Sequence, residues 1–221
     1  MQRALIIGSS GGIGGALSKA IAARGVALDT LSRSQTGFDI TDEGCVDAQL
    51  TELSGPYDLV LIATGALEIA GAAPEKSIRV LNAQAMADQF ALNAIGPALV
   101  LRHAARLLPK GRRSVIATLS ARVGSIGDNR LGGWTSYRAS KAALNQIIRC
   151  AAIELSRSHK RSICVALHPG TVATPFTQKY LGRHPSVAPE TAAGNLLRVI
   201  DNLQPNQTGH FYDWAGEQVP W

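Results

Sequence analysis

Short apolar runs alternate with longer mixed segments along most of the chain, which predicts strands and helices in turn. The strands are predicted at residues 3–7, 26–31, 58–63, 114–119, 162–167 and 210–214. The run DLVLIA at residues 58–63 is apolar enough to be buried on both faces of a sheet.

Helices are predicted at residues 13–23, 42–53, 83–108, 136–156 and 188–203. Gly25 is a natural stop for the first, and Pro97 should kink the long third one or mark an internal turn. Strands that alternate with such helices indicate right-handed β-α-β units. The sequence therefore predicts an α/β fold: a single doubly wound Rossmann-type domain over residues 1–221, with a mainly parallel sheet and helices on both faces.

Three segments, residues 65–77, 123–135 and 174–189, are expected to be irregular, and each follows a predicted strand. Ligands in open α/β sheets bind outside the carboxyl ends of the strands. We therefore expect the functional site at that edge of the sheet.

The composition is that of an ordinary soluble globular protein, with 46% hydrophobic and 17% charged residues among 221. No apolar run reaches the ~18 residues of a membrane span, and the start MQRALIIGSS lacks the apolar region of a signal peptide. Cys45, Cys150 and Cys164 show neither paired nor metal spacing, so reduced thiols are expected. These features predict a cytoplasmic protein without a metal and without a membrane partner.

The formal net charge of +6 raises a nucleic-acid hypothesis. The basic residues gather where helices should end, however, and cations there are stabilising and common. They are Arg102, Arg106, Lys110, Arg112, Arg113, Arg149, Arg157, Lys160 and Arg161. We therefore expect a solvated surface and no nucleic-acid partner, with a charge balance that favours a phosphorylated cofactor.

A glycine-rich loop joins the first strand to the first helix. Gly8, Gly12 and Gly14 permit a tight turn and a close approach of the backbone to a pyrophosphate. The N-terminus of the helix adds amide donors and a positive dipole end. A glycine cluster can also be only a turn, but between a strand and a helix it predicts nucleotide binding, with Ser10 and Ile13 in the same loop.

The second strand should end near Ser32, where an acidic residue would bind the ribose of NAD. Here Ser32 is followed by Arg33, and an arginine can clamp a 2′-phosphate. The alternative is a plain surface arginine. The pair predicts that NADP(H) is favoured over NAD(H).

Tyr137 and Lys141 are four residues apart and so lie on one face of a helix. An ammonium beside a phenol favours the phenolate, which suits an acid/base that works near neutrality. A solvated helix face is the alternative. A serine at a strand end upstream, Ser120, supports the catalytic interpretation.

Five segments carry a resemblance to a known family. In chain order they are the glycine motif of Gly8, Gly12, Ile13 and Gly14, then Asp39-Ile40, the N-x-x-G-P segment from Asn93, the pair Tyr137 and Lys141, and the segment Pro169-Gly170-Thr171-Val172-Ala173-Thr174. On these motifs the chain resembles the short-chain dehydrogenase/reductase family over essentially its whole length. The runs RVGSIGDN and YRASKAALN and the ending DWAGEQVPW are similar to its C-factor and sniffer-like carbonyl reductase subgroup.

The resemblance implies a role for each of four catalytic residues. Tyr137 exchanges a proton with a carbonyl or alcohol, and Lys141 lowers the pKa of that tyrosine and holds the nicotinamide ribose. Ser120 hydrogen-bonds the substrate oxygen as charge develops, and Asn93 orders a water in the proton relay. The hydride comes from the cofactor itself.

The resemblance also implies cofactor contacts along the chain. They are Gly8, Ser10, Gly12, Ile13, Gly14, Ser32, Arg33, Asp39, Ile40, Ala63, Thr64, Gly65, Asn93, Tyr137, Lys141, Pro169, Gly170, Thr171, Val172 and Thr174. A homodimer or homotetramer is implied as well, and the alanine-rich flanks of the long helices suit close helix packing.

The chain departs from the family pattern in two places. Ile62-Ala63-Thr64-Gly65 stands where the family has N-N-A-G, so both asparagine side chains are missing. The place three residues before Gly124 holds Ala121, and Ser120 is one residue earlier. Because a one-residue slip turns a side chain to the other face of a strand, Ser120 needs a bulge to reach the site. Ser125 is the second candidate, and a plain strand-end serine is the alternative.

Some further residues have two interpretations. His168 either faces the site or is a packed histidine, and Trp134 and Phe176 either line a substrate pocket or simply pack. Trp214 and Trp221 are expected in the core or at a subunit contact. Two functions stay open: an NADP(H)-dependent oxidoreductase for a small carbonyl or secondary alcohol, and a dinucleotide-binding regulator of the C-factor kind with little turnover.

Overall fold

A computed structural model describes residues 1–175, 177–180 and 185–221. Six strands form one sheet in which every neighbouring pair is parallel. They are β1 (Arg3–Ile7), β2 (Ala27–Leu31), β3 (Leu59–Ile62), β4 (Ser114–Leu119), β5 (Ser162–His168) and β6 (Phe211–Asp213). Each predicted strand is confirmed to within one residue at either end, and the predicted α/β class is confirmed with them.

Eight α-helices lie around the sheet in the described part of the chain. They are α1 (Gly12–Ala22), α2 (Arg33–Thr36), α3 (Glu43–Glu52), α4 (Ala83–Phe90), α5 (Gly96–Arg102), α6 (Ala104–Leu107), α7 (Thr135–Ser158) and α8 (Pro189–Asn202). None of them is long and apolar enough to cross a membrane.

The core has two layers, one on each face of the sheet. Residues Val60 and Ile62 of β3 join α3, α5, α6 and α7 in one layer, whereas Leu59 and Leu61 join α1 and α8 in the other. Because successive side chains of a strand point to opposite faces, a strand covered on both sides must be apolar at every position. This explains the unbroken apolar run of β3 and confirms helices on both faces.

The long helix predicted at residues 83–108 is divided. Residues Ala91–Ile95 form a π-helical turn between α4 and α5, and Pro97 lies in the first turn of α5, where its missing N–H disturbs no helical hydrogen bond. Gly96 allows the turn to pack closely, since a Cβ there would lie 2.8 Å from the carbonyl oxygen of Ile40. A π turn that contains Asn93 therefore joins α4 to α5.

The strand order is β2-β1-β3-β4-β5-β6, so the direction of winding reverses between β1 and β3. Ligands of such sheets bind in the crevice at the reversal point. No strand lies between β2 and the strand at Leu59–Ile62, because α2 and α3 are the only elements there, so the latter is the third strand of the chain. β2 is an edge strand of the sheet.

Candidate active site

A cavity of about 420 Å³ opens at the carboxyl edge of the sheet, at the reversal point. It is formed by the loops that follow β1, β3, β4 and β5 and by the first turns of α7. The predicted site residues that line it are Ser10, Gly12, Ile13, Ala63, Thr64, Gly65, Ser120, Tyr137, Lys141, Pro169, Gly170, Val172 and Thr174. The structure therefore brings the glycine loop and the tyrosine–lysine pair to one place.

Other predicted contacts lie outside the lining of this cavity. They are Gly8, Gly14, Ser32, Arg33, Asp39, Ile40, Asn93 and Thr171. Gly8 and Gly14 pack against each other within the glycine loop. Ser32 and Arg33 directly follow Leu31 of β2, whose carbonyl oxygen accepts from the amide of Gly8 at 2.7 Å. Phe176 lies outside the described residues.

The glycine loop has no room for side chains. A Cβ on Gly14 would lie 2.1 Å from the carbonyl oxygen of Gly8, and one on Gly8, whose φ is +91°, would lie 2.9 Å from the carbonyl carbon of Ala63. A Cβ on Gly12 would meet Thr174 at 2.6 Å, across the cavity mouth. The first turn of α1 has no side-chain cap, so its amides remain available to an anion. This backbone cradle fits the pyrophosphate of a dinucleotide.

A polar network orders the loop that follows β2. Ser9 Oγ and Ser32 Oγ both donate to Oε1 of Gln35 at 3.1 Å, while Arg33 is exposed and no acid stands at this place. Sequence reasoning missed Gln35, although S-x-x-Q from Ser32 is a capping-box spacing that signals it.

Asp39 and Ile40 lie in the loop between α2 and α3, a few residues after Ser32 and Arg33. Asp39 accepts from the amide and hydroxyl of Thr41 at 2.9 and 2.7 Å. These hydrogen bonds, and then Arg33, lower the pKa of Asp39. Ile40 is buried. The carboxylate of Asp39 is thus ionised and engaged within its own loop.

Tyr137 and Lys141 are both buried at the start of α7. Lys141 Nζ donates to the carbonyl oxygen of Leu119 at 3.0 Å and lies 6.0 Å from the centroid of the Tyr137 ring. Burial raises the pKa of Tyr137 and lowers the pKa of Lys141 to about 8. The expected lowering of the tyrosine pKa is therefore not what the protein alone produces, because burial disfavours the charged phenolate.

A distant carboxylate fixes the start of α7. Glu75 accepts from the hydroxyl of Ser136 and, at 3.3 Å, from its amide. Burial raises the pKa of Glu75, but the hydrogen bonds from Ser136 and from the backbone of Glu75 itself together outweigh burial and leave that pKa below its usual value. Trp134 packs edge-on against Tyr137, with centroids 6.4 Å apart. Glu75 carries no sequence signal, because it lies 61 residues from Ser136.

Asn93 is buried in the π turn and ties it to the loop after β3. Its Nδ2 donates to Gln89 Oε1 at 2.6 Å and to Ala66 O at 2.9 Å, and its Oδ1 accepts from Ala66 N at 3.1 Å. Beside it, a Cβ on Gly65 would lie 2.9 Å from Asn93 Oδ1 and 3.3 Å from Lys141 Nζ. Both side-chain donors of Asn93 are engaged, so this residue first of all positions the cavity wall.

Ser120 reaches the cavity, but its hydroxyl is engaged. Its Oγ donates to Asn145 Oδ1 at 2.7 Å, and its amide donates to Leu167 O at 2.8 Å, so the ladder continues past β4 without a bulge. Ala121 also lines the cavity. The hydroxyl of Ser125 is buried and accepts from the amide of Asp128 at 3.1 Å. Sequence reasoning missed Asn145, which follows Lys141 by four residues on the same face of α7.

The segment after β5 forms the opposite wall. Gly170 has a φ of +80°, and a Cβ there would lie 3.0 Å from the ring of Trp214. Thr177 Oγ1 donates to Val172 O and lies 3.3 Å from Thr174 Oγ1. Trp221 stacks on Phe211 with centroids 6.0 Å apart, but Trp214 and Trp221 are both exposed, so the expectation that they lie in the core is wrong and a subunit contact stays a prediction. Trp214 packs against Gly170 in the segment that lines the cavity.

Two polar atoms of the cavity lining are enclosed without a hydrogen-bond partner among the described residues. They are Thr64 Oγ1 and His168 Nδ1. Such atoms are rare in folded proteins and often mark a ligand site. Within the described residues, no group of three or more His, Cys, Asp or Glu could hold a metal ion. The lining thus suits an organic ligand with hydrogen-bonding groups.

Comparisons with known proteins agree with this geometry. A family model described as enoyl-(acyl carrier protein) reductase matches residues 22–209. The 1-hydroxy-2-glutathionyl-2-methyl-3-butene dehydrogenase of Rhodococcus sp. is 31% identical over 236 aligned positions and covers 100% of both chains. The C-signal protein of Myxococcus xanthus is 39% identical over 140 residues, which are 62% of this chain and 78% of that protein.

Solved structures share the fold. The carbonyl reductase Sniffer of D. melanogaster has a TM-score of 0.85 at 24% identity and covers 100% of both chains. A short-chain dehydrogenase/reductase from Burkholderia multivorans with bound NADP has a TM-score of 0.81 at 24% identity, over 100% of this chain and 99% of that one.

Proposed function

Because this chain belongs to the short-chain dehydrogenase/reductase family and is an oxidoreductase of that type, we propose that it transfers a hydride between NADP(H) and a carbonyl or secondary alcohol of a small molecule. The observation that carries the proposal is the single cavity in which the glycine cradle meets the buried pair Tyr137 and Lys141.

The residues around the cavity have complementary tasks in holding the cofactor. The loop around Gly12 would hold the pyrophosphate, Lys141 the nicotinamide ribose, and the segment from Pro169 to Thr174 the nicotinamide end. Thr64 Oγ1 is an additional hydroxyl that a ligand could satisfy. When bound, the dinucleotide supplies or accepts the hydride.

Tyr137 is the proton donor in the reducing direction. Burial keeps its phenol neutral at pH 7, so it holds the proton that a carbonyl oxygen needs when the carbon receives a hydride. Loss of that proton leaves a phenolate on the same helix face as the ammonium of Lys141, which favours the charged form at that moment. In the oxidising direction Tyr137 takes the proton back.

Ser120 and Asn93 complete the proposed machinery. Ser120 would donate to the substrate oxygen after its hydroxyl turns away from Asn145, because a hydroxyl rotates freely. Both side-chain donors of Asn93 are engaged with Gln89 and Ala66, so its backbone is the part left to order a relay water.

We propose NADP(H) over NAD(H) because Arg33 follows β2 and no acid stands at Ser32. A 2′-phosphate would be repelled by an acid there, whereas a guanidinium donates two hydrogen bonds to it. Titration calorimetry should show NADPH binding at least about tenfold more tightly than NADH, since hydrogen bonds to charged groups contribute roughly 1.5–3 kcal/mol. The variant Arg33→Ala should lose most of this preference by weakening NADPH alone, and equal affinities in the parent would contradict the assignment.

Activity is tested by following cofactor absorbance while aldehydes, ketones and quinones are screened. The Rhodococcus relative is named for an alcohol whose neighbouring carbon carries glutathione, so glutathione conjugates with a hydroxyl on the carbon next to the thioether carbon belong in the screen. Turnover of any carbonyl or alcohol supports the proposal. Tight NADPH binding without turnover across the panel would favour the second candidate, a dinucleotide-binding signalling protein, which the similarity to C-signal and the missing hydroxyl at Ala121 support.

Two wider properties are proposed with the function. A homodimer or homotetramer is expected, and light scattering at micromolar concentration would contradict it by returning a monomer mass.

A cytoplasmic location is expected because Cys45, Cys150 and Cys164 are free thiols. Fractionation of the source cells tests that location.

A further inference from the structure

We propose that His168 is a further catalytic residue, whose imidazole Nε2–H donates a hydrogen bond to the substrate oxygen. This inference rests on the proposed function, because it names a contact within the same cavity. The side-chain donors that line the cavity differ in whether they already have a hydrogen-bond acceptor.

Most donors near the tyrosine–lysine pair already have an acceptor. Ser120 Oγ donates to Asn145 Oδ1 at 2.7 Å, and Lys141 Nζ donates to Leu119 O at 3.0 Å. Thr177 Oγ1 donates to Val172 O. A ligand that used any of these groups would have to displace an existing bond. His168 lines the same cavity and makes no hydrogen bond to a described residue.

The two nitrogens of His168 differ in their surroundings. Nδ1 is enclosed and has no partner among the described residues, whereas the residue as a whole is partly exposed and lines the cavity. A proton on Nδ1 would be a buried N–H without an acceptor, and orphaned N–H groups are rarer than acceptors left unpaired. The proton therefore belongs on Nε2, which makes that nitrogen a free donor at the cavity.

His168 also lies at the right end of the sheet. It follows Leu167, which is in register with Leu119, the residue whose carbonyl oxygen holds Lys141 Nζ. On its other side it is in register with Asp213 of β6. The imidazole thus belongs to the strand end next to the one that carries the lysine contact.

The charge state of His168 suits a donor that does not compete with Tyr137 for the proton. Burial lowers the pKa of His168 to about 4, with Asp213 raising it and Arg122 lowering it less strongly. At pH 7 the ring is neutral and holds one N–H. A neutral donor stabilises the charge that develops on a carbonyl oxygen and leaves proton transfer to the phenol.

Three variants separate this role from simple packing. Leucine removes the donor, glutamine places an amide N–H near the position of Nε2, and asparagine places one near Nδ1. With NADPH and 4-nitrobenzaldehyde, His168→Leu should lower kcat about 10²-fold and leave the Kd for NADPH within about threefold. His168→Gln should recover most of the loss, and His168→Asn should not. Thermal unfolding of each variant checks that it is folded.

A second readout does not need turnover. In protein with ¹⁵N-labelled histidine, the imidazole signals of His168 should report a proton on Nε2, and that signal should shift when 4-nitrobenzaldehyde is added to the complex with NADP⁺, which cannot deliver a hydride. A parent that turns over no carbonyl and no alcohol would refute the proposed function, and the imidazole signals would still decide the role of His168.

Four results would overturn the inference. They are a kcat of His168→Leu within threefold of the parent, equal or better rescue by asparagine, a loss of NADPH affinity that matches the loss in kcat, and an imidazole signal unchanged by the aldehyde.

Discussion

Burial favours the neutral forms of both Tyr137 and Lys141, with opposite consequences for their pKa values. The phenol keeps its proton well above neutrality, and the pKa of the ammonium falls to about 8. At pH 7 the pair therefore enters a reduction with a proton on each group. When Tyr137 gives up its proton, the resulting phenolate and ammonium face each other in a site of low dielectric, where their attraction is strong.

Replacing Tyr137 by phenylalanine should nearly abolish turnover, because the motif and the buried phenol make it the general acid, a role that contributes about 10²–10⁴-fold. NADPH affinity should stay within a few-fold. Tyr57→Phe is the matched control: its hydroxyl donates to Asp29 at 2.7 Å, far from the cavity lining. That variant should keep kcat and lose roughly 1.5–3 kcal/mol of stability, because the acceptor is a carboxylate. Steady-state kinetics of both variants would refute the assignment if Tyr137→Phe retained activity within a few-fold.

Ser120→Ala should lower kcat by at least about tenfold and change NADPH affinity little, since an oxyanion donor of a well-studied enzyme contributes about 2.7–4 kcal/mol. The effect should be below that range because the hydroxyl must first leave Asn145, which it contacts at 2.7 Å. Ser125→Ala is the control, as its hydroxyl serves the amide of Asp128. An active Ser120→Ala together with an inactive Ser125→Ala would show that the other serine faces the substrate.

At the scale of elements, the strands and most helices could be predicted because each leaves a local mark. β3 is apolar at every position because helices cover both faces, and α3 begins after Asp42, whose side chain caps it. The carboxyl ends of parallel strands meet at one edge, so the loops that form the cavity followed from the strand assignment. Pro97 marks the interruption of the long third helix, whereas the π geometry of Ala91–Ile95 has no local mark of its own.

The hydrogen-bond partners of the predicted site residues could not be predicted from local sequence patterns either. Glu75 fixes Ser136 across 61 residues, and Asn145 takes the hydroxyl of Ser120 across 25. Both contacts exist only once the loops have closed over the strand ends. Residue types can therefore be assigned to a site from motifs, whereas the direction in which a hydroxyl points cannot.

The glycine loop yields a prediction at the same scale. Gly14→Ala should destabilise the protein by more than about 1–3 kcal/mol, the usual range for overpacking, because its Cβ would lie 2.1 Å from the carbonyl oxygen of Gly8. The shifted loop should also lose NADPH affinity. Gly194→Ala is the matched control within α8, where a Cβ meets nothing within 4 Å, and it should stabilise by roughly 0.5–1 kcal/mol. Urea unfolding measures both, and equal effects of the two substitutions would contradict this account of the cradle.

The whole molecule carries titratable groups in its interior, and two of them oppose each other in alkali. The pKa of Lys141 falls from 10.5 to about 8 through burial, so the unfolded state binds more protons between these values and stability rises with pH. Burial raises the pKa of the Cys164 thiol from 9.0 to about 12, so the native state binds more protons above pH 9 and stability falls. In the parent the two effects offset each other above pH 9.

Removing one group at a time should expose the other. Between pH 8 and 10 the free energy of unfolding should rise by about 2 kcal/mol in Cys164→Ala and fall by about 1.4 kcal/mol in Lys141→Met, so the two variants should diverge by about 3–4 kcal/mol, at ~1.4 kcal/mol per pH unit for one proton. Both substitutions remove a buried group, so the comparison is one of slopes with pH and not of absolute stabilities. Urea unfolding at pH 7.5, 8.5, 9.25 and 10 gives these slopes. A free energy of unfolding of Cys164→Ala that does not rise between pH 8 and 10 would show that the pKa of Lys141 is not lowered in the folded protein, and the claim that burial favours its neutral form would then be refuted.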